Sequence, residues 1–173
     1  MNIVLIGYRG TGKSVISRIL ADTLHCQRYS LDEEVIRQTG KSISEMVEQE
    51  GWGRFREVER EVVKRVSSEA QNSVIDCGGG VIIDERNTVD LKKNSKIVLL
   101  TSNLEKIIQR IKVDSTRPPL KEGLSFKEEH HQIYNERLPK YNAAADCVFE
   151  TTYLNPREIA LKIIGHFKKK GWI

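Results

Sequence analysis

The sequence predicts an α/β protein whose parallel sheet has five strands and is covered by helices on both faces. Five short apolar runs alternate with segments of helical periodicity, which is the pattern of strand–helix–strand units. A glycine-rich loop separates the first run from the first helix. The length of 173 residues, with 39% hydrophobic and 30% charged residues, suits one compact domain.

The strands are predicted from short runs rich in β-branched residues. Continuous apolar runs, rather than alternating ones, are typical of strands that are buried on both faces. Residues 97–100, Ile-Val-Leu-Leu, are the clearest case. The predicted strands are, in chain order, 2–6, 27–30, 74–77, 96–101 and 147–150.

The helices are predicted from apolar residues at helical spacing and from capping signals. Ser42 followed by Glu45 forms the pattern of a capping box. Asn155 followed by Pro156 places a good N-cap residue before a proline at the first helical position. The predicted helices are 13–24, one from about Asp32, one from Ser42, one over 52–66, one over 104–111 and one from Pro156.

Composition limits the classes of function. Lys and Arg number 28 against 24 Asp and Glu, and the net charge of +4 is too small to indicate nucleic-acid binding. No apolar run approaches the roughly 18 residues of a membrane-spanning helix. The cysteines are far apart and form no C-x-x-C pair, which favours a reducing, cytoplasmic setting. We expect small-molecule ligands and a monomer, with no nucleic acid and no membrane as partners.

The segment from Gly7 to Ser14 matches the phosphate-binding pattern G-x-x-x-x-G-K-[ST] in full. It follows a predicted strand and opens a predicted helix, as its mechanism requires. Its glycines let backbone N–H groups surround phosphate oxygens, Lys13 reaches the β- and γ-phosphates, and the Ser14 hydroxyl can ligate Mg²⁺. The segment therefore predicts a nucleoside triphosphate site. Because the chain is short and lacks the N-K-x-D pattern of GTPases, a small-molecule kinase is favoured.

Further motifs narrow this prediction. Asp32 follows the second strand, residues 51–59 read Gly-Trp-Gly-Arg-Phe-Arg-x-x-Glu, and three glycines at 78–80 follow the third strand. The later motifs are Arg110, Arg-Pro-Pro-Leu at 117–120 and Glu-Arg-x-x-x-Tyr at 136–141. In this order the whole chain resembles the shikimate kinases, a family of P-loop kinases related to the nucleoside monophosphate kinases. The resemblance implies a P-loop kinase fold with a mobile lid.

The resemblance implies an activity and a division of the chain. ATP, with Mg²⁺ as cofactor, would phosphorylate the 3-hydroxyl of shikimate to give shikimate 3-phosphate, a step towards chorismate and the aromatic amino acids. One domain would cover 1–173, with a lid at about 112–124 and a substrate-binding helical segment at about 32–62. The lid segment could also be an ordinary surface loop. Two other functions stay open: a gluconate or nucleotide kinase, and a binding protein of this family with weakened catalysis.

On the nucleotide side, the resemblance implies a role for each matching residue. Lys13 and the lid residue Arg117 act in catalysis at the phosphates, and Ser14 ligates Mg²⁺. Arg110 and Pro156 enclose the adenine, although Arg110 could instead be a solvated helix end. The implied ATP-binding residues are Gly10, Thr11, Gly12, Lys13, Ser14, Val15, Arg110, Arg117 and Pro156.

On the substrate side, shikimate has a carboxylate and several hydroxyls. Its binding site therefore needs cationic side chains with paired N–H donors, as well as hydrogen-bond acceptors. Arg56 and Arg137 can each present a planar fork to a carboxylate, or could form surface salt bridges. The resemblance makes Asp32 the catalytic acceptor for the reacting hydroxyl; the alternative is a helix N-cap. Glu59, three residues after Arg56, either holds that guanidinium or is a solvated charge. The other implied substrate-binding residues are Phe55, otherwise a core aromatic, and Gly78, Gly79 and Gly80, otherwise a plain turn.

Three positions need separate interpretation. The family usually carries Asp-x-Asp after the second strand, but Ser30 stands here in place of the first acid, which is associated with the magnesium shell. Cys77 replaces the common Ser or Thr before the glycines and is a poor hydrogen-bonding substitute. We therefore expect an active kinase with a raised magnesium requirement. Asp76 has the position of a Walker B acid, but unless the strand ends early, alternation favours a surface or helix-capping acid.

Overall fold

The computed structural model describes residues 1–113, 119–120, 123–153 and 155–173. The strands in these ranges are β1 (Asn2–Ile6), β2 (Arg28–Ser30), β3 (Val74–Asp76), β4 (Ser95–Thr101) and β5 (Cys147–Glu150). The helices are α1 (Lys13–Leu24), α2 (Leu31–Thr39), α3 (Ile43–Glu69), α4 (Glu85–Lys92), α5 (Leu104–Val113), α6 (Phe126–Ala144) and α7 (Pro156–Lys169), with a short 3₁₀ turn at Val81–Ile83. No helix in the described ranges combines the length and the apolar character needed to cross a bilayer.

The strands form one parallel sheet in the order β2-β3-β1-β4-β5, which confirms the predicted fold class. β1 lies at the centre, with Val4 opposite Ile75 of β3 and Ile97 of β4. From β1 the chain first adds strands on one side of the sheet, β2 and β3, and then on the other side, β4 and β5. Ligands of such sheets bind beyond the carboxyl ends of the strands, at the point where the chain changes side. The phosphate-binding loop after β1 lies at this edge.

Both faces of the sheet are covered, as predicted. Val4 and Ile6 belong to the core on the face packed by α3, whereas Ile3 and Leu5 belong to the core on the face packed by α1 and α7. All four side chains are at most 2% exposed. A strand buried on both faces holds the loop that follows it in a fixed position.

The two helices predicted from Ser42 and over 52–66 are confirmed as two helical segments of α3 that meet at a kink. α3 runs through Gly51, whose φ of 80° departs from helical geometry and suits glycine. The predicted capping box is confirmed in both directions: the Ser42 N donates to Glu45 Oε2 (2.8 Å) and the Glu45 N donates to Ser42 Oγ (3.2 Å). The kink lies just before Trp52 and Phe55, so it sets the direction of the helix turn that carries them.

Boundaries differ from prediction by one residue in three strands, and two helices were not predicted. β2 begins at Arg28, β3 ends at Asp76 and β4 begins at Ser95. α4 is short and polar, and α6 buries Glu129, His130 and Tyr141 while containing Pro139. Buried polar side chains interrupt the apolar stripe, so periodicity does not reveal α6.

Candidate active site

The phosphate-binding loop has the backbone geometry that its glycines permit. Gly7, Gly10 and Gly12 have φ values of 143°, 79° and 91°. A Cβ atom at Gly7 would overlap the Leu100 carbonyl oxygen of β4. Gly12 is the N-cap of α1, so the loop ends where the N–H groups of that helix begin. The loop can therefore bind an anion through its backbone.

Lys13 folds back against this loop. Its Nζ donates to the carbonyl oxygens of Gly7 (2.8 Å) and Tyr8 (2.9 Å), and the residue is only 7% exposed. Thr11 Oγ1 donates to the same Tyr8 carbonyl at 2.8 Å. A buried ammonium group beside oriented backbone N–H groups gives this region a positive potential suited to phosphates.

Arg110 is an exposed residue in the last turn of α5 that also contacts the phosphate-binding loop. Its Nη1 donates to the Gly10 carbonyl at 3.1 Å and its Nη2 to the Thr151 carbonyl at 3.4 Å. Thr151 Oγ1 also donates to the Thr11 carbonyl at 3.0 Å. Pro156 begins α7 as predicted, and its role against adenine stays a prediction.

A cavity, here called the loop cavity, adjoins these residues. The predicted ATP-binding residues that line it are Gly10, Gly12, Lys13, Ser14, Val15 and Arg110. Thr11 is buried at 1% exposure and positions the loop from behind through its hydrogen bonds. The structure thus gathers most of the predicted nucleotide site around one cavity.

The Arg56 guanidinium is held on several sides. Its Nη1 lies 2.5 Å from Oε2 of Glu59, and the Glu59 side chain is only 2% exposed. The guanidinium also lies over the rings of Phe55 (4.9 Å) and Trp52 (5.6 Å). A Cβ atom at Gly80 would overlap it. The alternative of a solvated charge for Glu59 is therefore wrong, and the salt bridge that Arg56 forms is made with a buried carboxylate.

Glu59 is a buried carboxyl whose pKa is shifted in opposite directions by its surroundings. Burial raises the pKa of Glu59, and the Arg56 charge opposes that rise. Within the described ranges, Glu59 Oε1 has no hydrogen-bond partner. Because it is tied to a single guanidinium, Glu59 positions Arg56 rather than meeting solvent.

Arg137 and Tyr141 of α6 meet at one carbonyl oxygen. Arg137 Nη1 donates to the Gly79 oxygen at 3.2 Å, and the Tyr141 hydroxyl donates to the same atom. Burial raises the pKa of Tyr141, which keeps the phenol protonated as a donor. A Cβ atom at Gly79 would lie 3.2 Å from the backbone N of Arg9. These contacts fix Arg137 and the glycine loop relative to each other.

The glycines at 78–80 allow charged side chains to come close to the backbone. A Cβ atom at Gly78 would lie 2.9 Å from Asp32 Oδ1 and 3.1 Å from Glu59 Oε1. The segment is also a turn, since the Val81 N donates to the Gly78 carbonyl at 3.1 Å. The interpretation as a turn is therefore confirmed, and the approach of a ligand stays a prediction.

A second cavity, here called the arginine cavity, is lined by every predicted substrate-binding residue. These are Asp32, Phe55, Arg56, Glu59, Gly78, Gly79, Gly80 and Arg137. Phe55 is only 2% exposed and belongs to the core, and its packing beside a substrate ring stays a prediction. Asp32, Gly78, Gly79 and Arg9 line the loop cavity as well. The two cavities therefore adjoin at these four residues.

Asp32 lies in the first turn of α2, where the helix dipole favours a negative charge. The N-cap of α2 is Ser30, whose Oγ accepts from the Glu33 N at 3.4 Å. The alternative that Asp32 caps this helix is therefore wrong. Its carboxylate faces Gly78 at the boundary of the two cavities.

The interpretation of Asp76 as a surface or helix-capping acid is also wrong. Asp76 is 3% exposed, and its Oδ2 accepts from Arg28 Nη2 at 2.9 Å and from Ser17 Oγ at 3.3 Å. β3 ends at Asp76, one residue earlier than predicted, and the residue lines the loop cavity. Arg28 compensates the buried charge from the neighbouring strand, a pairing that sequence alone does not indicate.

Several residues of the site were missed. Arg9 lines both cavities, but it occupies an unrestricted position of the loop motif, so its charge was its only signal. The Tyr8 hydroxyl lies 2.7 Å from His130 Nδ1, and both residues are nearly fully buried. Burial raises the pKa of Tyr8 to about 12 and lowers the pKa of His130. These partners are 122 positions apart, and no sequence pattern links them.

Residues 119–120 of the predicted lid contact the substrate side. Trp52 Nε1 donates to the Pro119 carbonyl at 3.2 Å, and the Leu120 N donates to Glu129 Oε1 at 2.5 Å. Leu120 also lines the arginine cavity. Arg117 lies outside the described residues, so its role and the mobility of the lid stay predictions.

Side-chain oxygen atoms around the loop cavity are suitable ligands for a magnesium ion that accompanies a nucleotide. The hydroxyls of Ser14 and Ser30 and the carboxylates of Asp32 and Asp76 belong to residues that line it. Magnesium prefers such oxygen ligands and takes many of them from phosphates and water. In the described part of the chain, no three His, Cys, Asp or Glu side chains cluster so as to hold a metal ion. The cavity therefore suits an ion carried mainly by the phosphates.

Comparison with known proteins agrees with this arrangement. The family model described as shikimate kinase matches residues 9–168. A shikimate kinase of Caldicellulosiruptor bescii is 39% identical over 98% of this chain and 98% of that protein. The structure of a shikimate kinase from Acinetobacter baumannii in complex with shikimate is similar with a TM-score of 0.91, at 31% identity, covering 98% of this chain and 93% of that chain. The structure of the Aquifex aeolicus shikimate kinase has a TM-score of 0.82, at 29% identity, and covers 99% of both chains. The family predicted from the sequence is confirmed: this chain belongs to the shikimate kinases.

Proposed function

We propose that this chain transfers the γ-phosphoryl group of ATP to the 3-hydroxyl of shikimate, with Mg²⁺ as cofactor. The observation that carries this proposal is that the loop cavity and the arginine cavity adjoin at Asp32, Gly78, Gly79 and Arg9. A phosphate donor in the first cavity and an acceptor in the second would meet at that boundary. The Acinetobacter baumannii relative, whose structure contains shikimate, supports the same acceptor.

The loop cavity would bind ATP. Backbone N–H groups from Gly10 to Val15 would surround the phosphates, while Lys13 would move from the loop carbonyls to the β- and γ-phosphate oxygens. Ser14 would hold the magnesium ion, which when bound neutralises charge on the phosphates. Arg110 and Pro156 would enclose the adenine, and Arg117 would add positive charge at the phosphates.

The arginine cavity would bind the carboxylate of shikimate. Arg56 and Arg137 offer planar donors from two different helices, and two such forks orient a carboxylate far better than one. Glu59 would keep Arg56 in position, and Phe55 would pack beside the substrate ring. The hydroxyl to be phosphorylated would then lie towards Asp32 and the glycine loop.

Asp32 would accept the proton of that hydroxyl. The hydroxyl oxygen forms a bond to the γ-phosphorus while the bond from that phosphorus to the β–γ bridging oxygen breaks. ADP leaves with the electron pair of the broken bond, and the proton moves to the Asp32 carboxylate. Most of the catalytic effect would come from positioning and from charge neutralisation around this in-line transfer.

The test is ADP release in a coupled assay with shikimate, quinate, gluconate and nucleoside monophosphates as acceptors. We expect turnover with shikimate to exceed that with each other acceptor. Faster turnover with gluconate or a nucleoside monophosphate would favour a different small-molecule kinase. Calorimetric binding of shikimate without turnover would instead indicate a binding protein.

A further inference from the structure

Asn87 is a buried polar side chain to which the proposed reaction gives no role. It lies in the first turn of α4, is only 1% exposed and lines neither cavity. Burying an amide group costs free energy unless its donor and its acceptor both find hydrogen-bond partners. The partners of Asn87 connect α3 and α4 to the segment that follows the glycine turn, Gly78–Gly80.

The amide group of Asn87 bridges a helix and a backbone carbonyl. Its Nδ2 donates to the Val81 carbonyl oxygen at 3.0 Å, and its Oδ1 accepts from Arg60 Nη1 of α3 at 3.3 Å. Arg60 Nη2 in turn lies 2.5 Å from Oδ2 of Asp90, one turn further along α4. Because a guanidinium only donates hydrogen bonds, Arg60 fixes the orientation of the amide, with its nitrogen towards Val81.

Val81 is itself bonded to the glycine turn. The Val81 N donates to the Gly78 carbonyl at 3.1 Å, and the Ile83 N donates to the Gly80 carbonyl at 3.0 Å. The bond from Asn87 to the Val81 carbonyl therefore holds the turn at its carboxyl end.

The other hold on the turn comes from α6. The Gly79 carbonyl accepts from Arg137 and Tyr141, as described above. The turn is thus held from two sides: by α6 through Gly79, and by α3 and α4 through Asn87. Side chains on both sides reach its backbone carbonyls, so its N–H groups and its position relative to the arginines depend on both.

α3 contacts the glycine turn through two arginines. Arg56 and Arg60 are four residues apart and therefore project from the same side of the helix. The Arg56 guanidinium packs directly on Gly80, where a Cβ atom would overlap it. Packing at Gly80 stops α3 and the turn from coming closer, while the hydrogen bonds through Asn87 stop them from separating. Together the two contacts set the distance between Arg56 and the turn.

We propose that Asn87 is a positioning residue for the arginine cavity, whose amide holds the glycine turn at the distance from α3 at which the turn and Arg56 bind the acceptor together. This inference rests on the proposed transfer to an acceptor in that cavity. The acceptor hydroxyl must be aligned with the phosphoryl group, and a misplacement of about 1 Å can cost about 10²-fold in rate. A side chain that touches no substrate can therefore control the reaction through the backbone.

The first experiment compares the two substrates. In Asn87→Ala we expect kcat/KM for shikimate to fall about 10-fold or more, because the turn moves relative to Arg56. The KM for ATP and the affinity for ADP should change little, since the phosphate-binding loop keeps its own contacts. Coupled ADP-release kinetics and calorimetry measure these quantities. A folded Asn87→Ala protein with the kcat/KM of the wild type would overturn the proposal.

Asn2→Ala is the matched control. Asn2 is also 1% exposed, and its amide also bridges two groups, donating to the Ala70 carbonyl (2.9 Å) and accepting from the Ser73 N (3.0 Å). It begins β1, at the opposite end of the sheet from the site. Both variants should lower the thermal midpoint, because each leaves buried groups without a partner. Only Asn87→Ala should impair the kinetics with shikimate, and an equal loss in Asn2→Ala would overturn the proposal.

Arg60→Met tests the connection to α3 and decides the matter if Asn87→Ala does not fold. It removes the donor that orients the Asn87 amide, so kcat/KM for shikimate should fall in the same direction by a smaller factor. In the double variant the two losses should not multiply, because both act through the one bond to Val81. Wild-type kinetics in Arg60→Met, or losses that multiply in the double variant, would overturn the proposal.

Hydrogen exchange in the ligand-free protein tests the same connection without any substrate. The Val81 and Ile83 amides should exchange faster in Asn87→Ala than in the wild type and in Asn2→Ala, because the turn that they close is held less firmly. Unchanged exchange would overturn the proposal. Absence of turnover of shikimate by the wild type would instead contradict the proposed function, and the exchange rates would still decide whether Asn87 holds the turn.

Discussion

The two adjoining cavities are built in different ways. The loop cavity takes its positive potential from backbone N–H groups and Lys13, all within one continuous motif after β1. The arginine cavity is formed by side chains from α2, α3, α6 and the glycine turn, and these are held by other side chains such as Glu59 and Tyr141. The phosphate-binding part of the first site is therefore local in sequence, whereas the second site depends throughout on long-range packing. Changes at residues that touch no ligand should harm the second site more.

Loss of the ammonium group of the loop cavity should have the largest effect. Lys13→Met removes the charge that would follow the transferring phosphoryl group, and we expect kcat to fall by about 10³-fold or more. Coupled ADP-release kinetics measure this effect, with the exposed Lys106→Met of α5 as control. Near-normal kcat in Lys13→Met would contradict the assignment of this cavity.

A methyl group at the glycine turn should damage the arginine cavity without touching the loop cavity. Gly80 has an ordinary φ of −106°, but its Cβ would overlap the Arg56 guanidinium. In Gly80→Ala we expect kcat/KM for shikimate to fall about 10²-fold, equivalent to losing a charge-assisted contact of a few kcal/mol. Binding of ADP should change little.

Gly53→Ala is the control for this change, because a Cβ atom there has no neighbour within 4 Å. It should leave the kinetics with shikimate unchanged. A similar loss in both glycine variants would show that the effect does not come from Arg56.

Neutralising Glu59 tests how the arginine cavity is held together. Burial raises the pKa of Glu59 above its ordinary 4.5, so it takes up a proton early as the pH falls. Arg56 then loses its anionic partner, and KM for shikimate should rise towards acid pH. In Glu59→Gln we expect KM to be raised about 10-fold, with that rise towards acid pH abolished.

The KM measured against pH for the wild type, Glu59→Gln and Glu57→Gln decides this point. Glu57 is an exposed partner of Arg54 on the same helix, at 3.1 Å. It should therefore behave as wild type. An acid-side rise in KM that persists in Glu59→Gln would assign the titration to another group.

His130 should produce the smallest effect, on stability rather than on rate. Burial lowers the pKa of His130 from its ordinary 6.5. Below that ordinary value the unfolded chain binds a proton that the folded protein disfavours, so the free energy of unfolding falls as the pH falls. The loss is about 1.4 kcal/mol for each unit by which the two pKa values differ.

Denaturant unfolding measures this loss as the difference between the free energies of unfolding at two pH values. One is pH 7.5 and the other lies about one unit or more below the ordinary pKa of histidine. In His130→Gln the part of the pH dependence that comes from this group should disappear. In His131→Gln, a change at a partly exposed histidine, it should persist. Identical pH dependence in wild type and His130→Gln would rule out this contribution.

The same contrast explains what the sequence could predict. The five strands of the parallel sheet, the loop after β1 and the Arg56–Glu59 pair depend on local patterns or on i, i+3 spacing, and each was correctly predicted. Asp76 was misinterpreted because its partner Arg28 lies 48 positions earlier and meets it only through the pairing of β2 with β3. α6 was missed because it buries polar groups that face Tyr8 and the glycine turn. Long-range polar contacts, which leave no periodic signal, account for most of what was missed.

The contact between Trp52 and Pro119 has an optical consequence. The chain has two tryptophans. Trp172 packs on Phe167 at the opposite face of the sheet, with ring centroids 5.0 Å apart. Trp52 instead borders the arginine cavity, beside the Arg56 cation and with its indole N–H bonded to Pro119. In a Trp172→Phe protein the indole emission would come from Trp52 alone. Its wavelength and intensity would then follow filling of the arginine cavity in real time, without a label or a coupling enzyme.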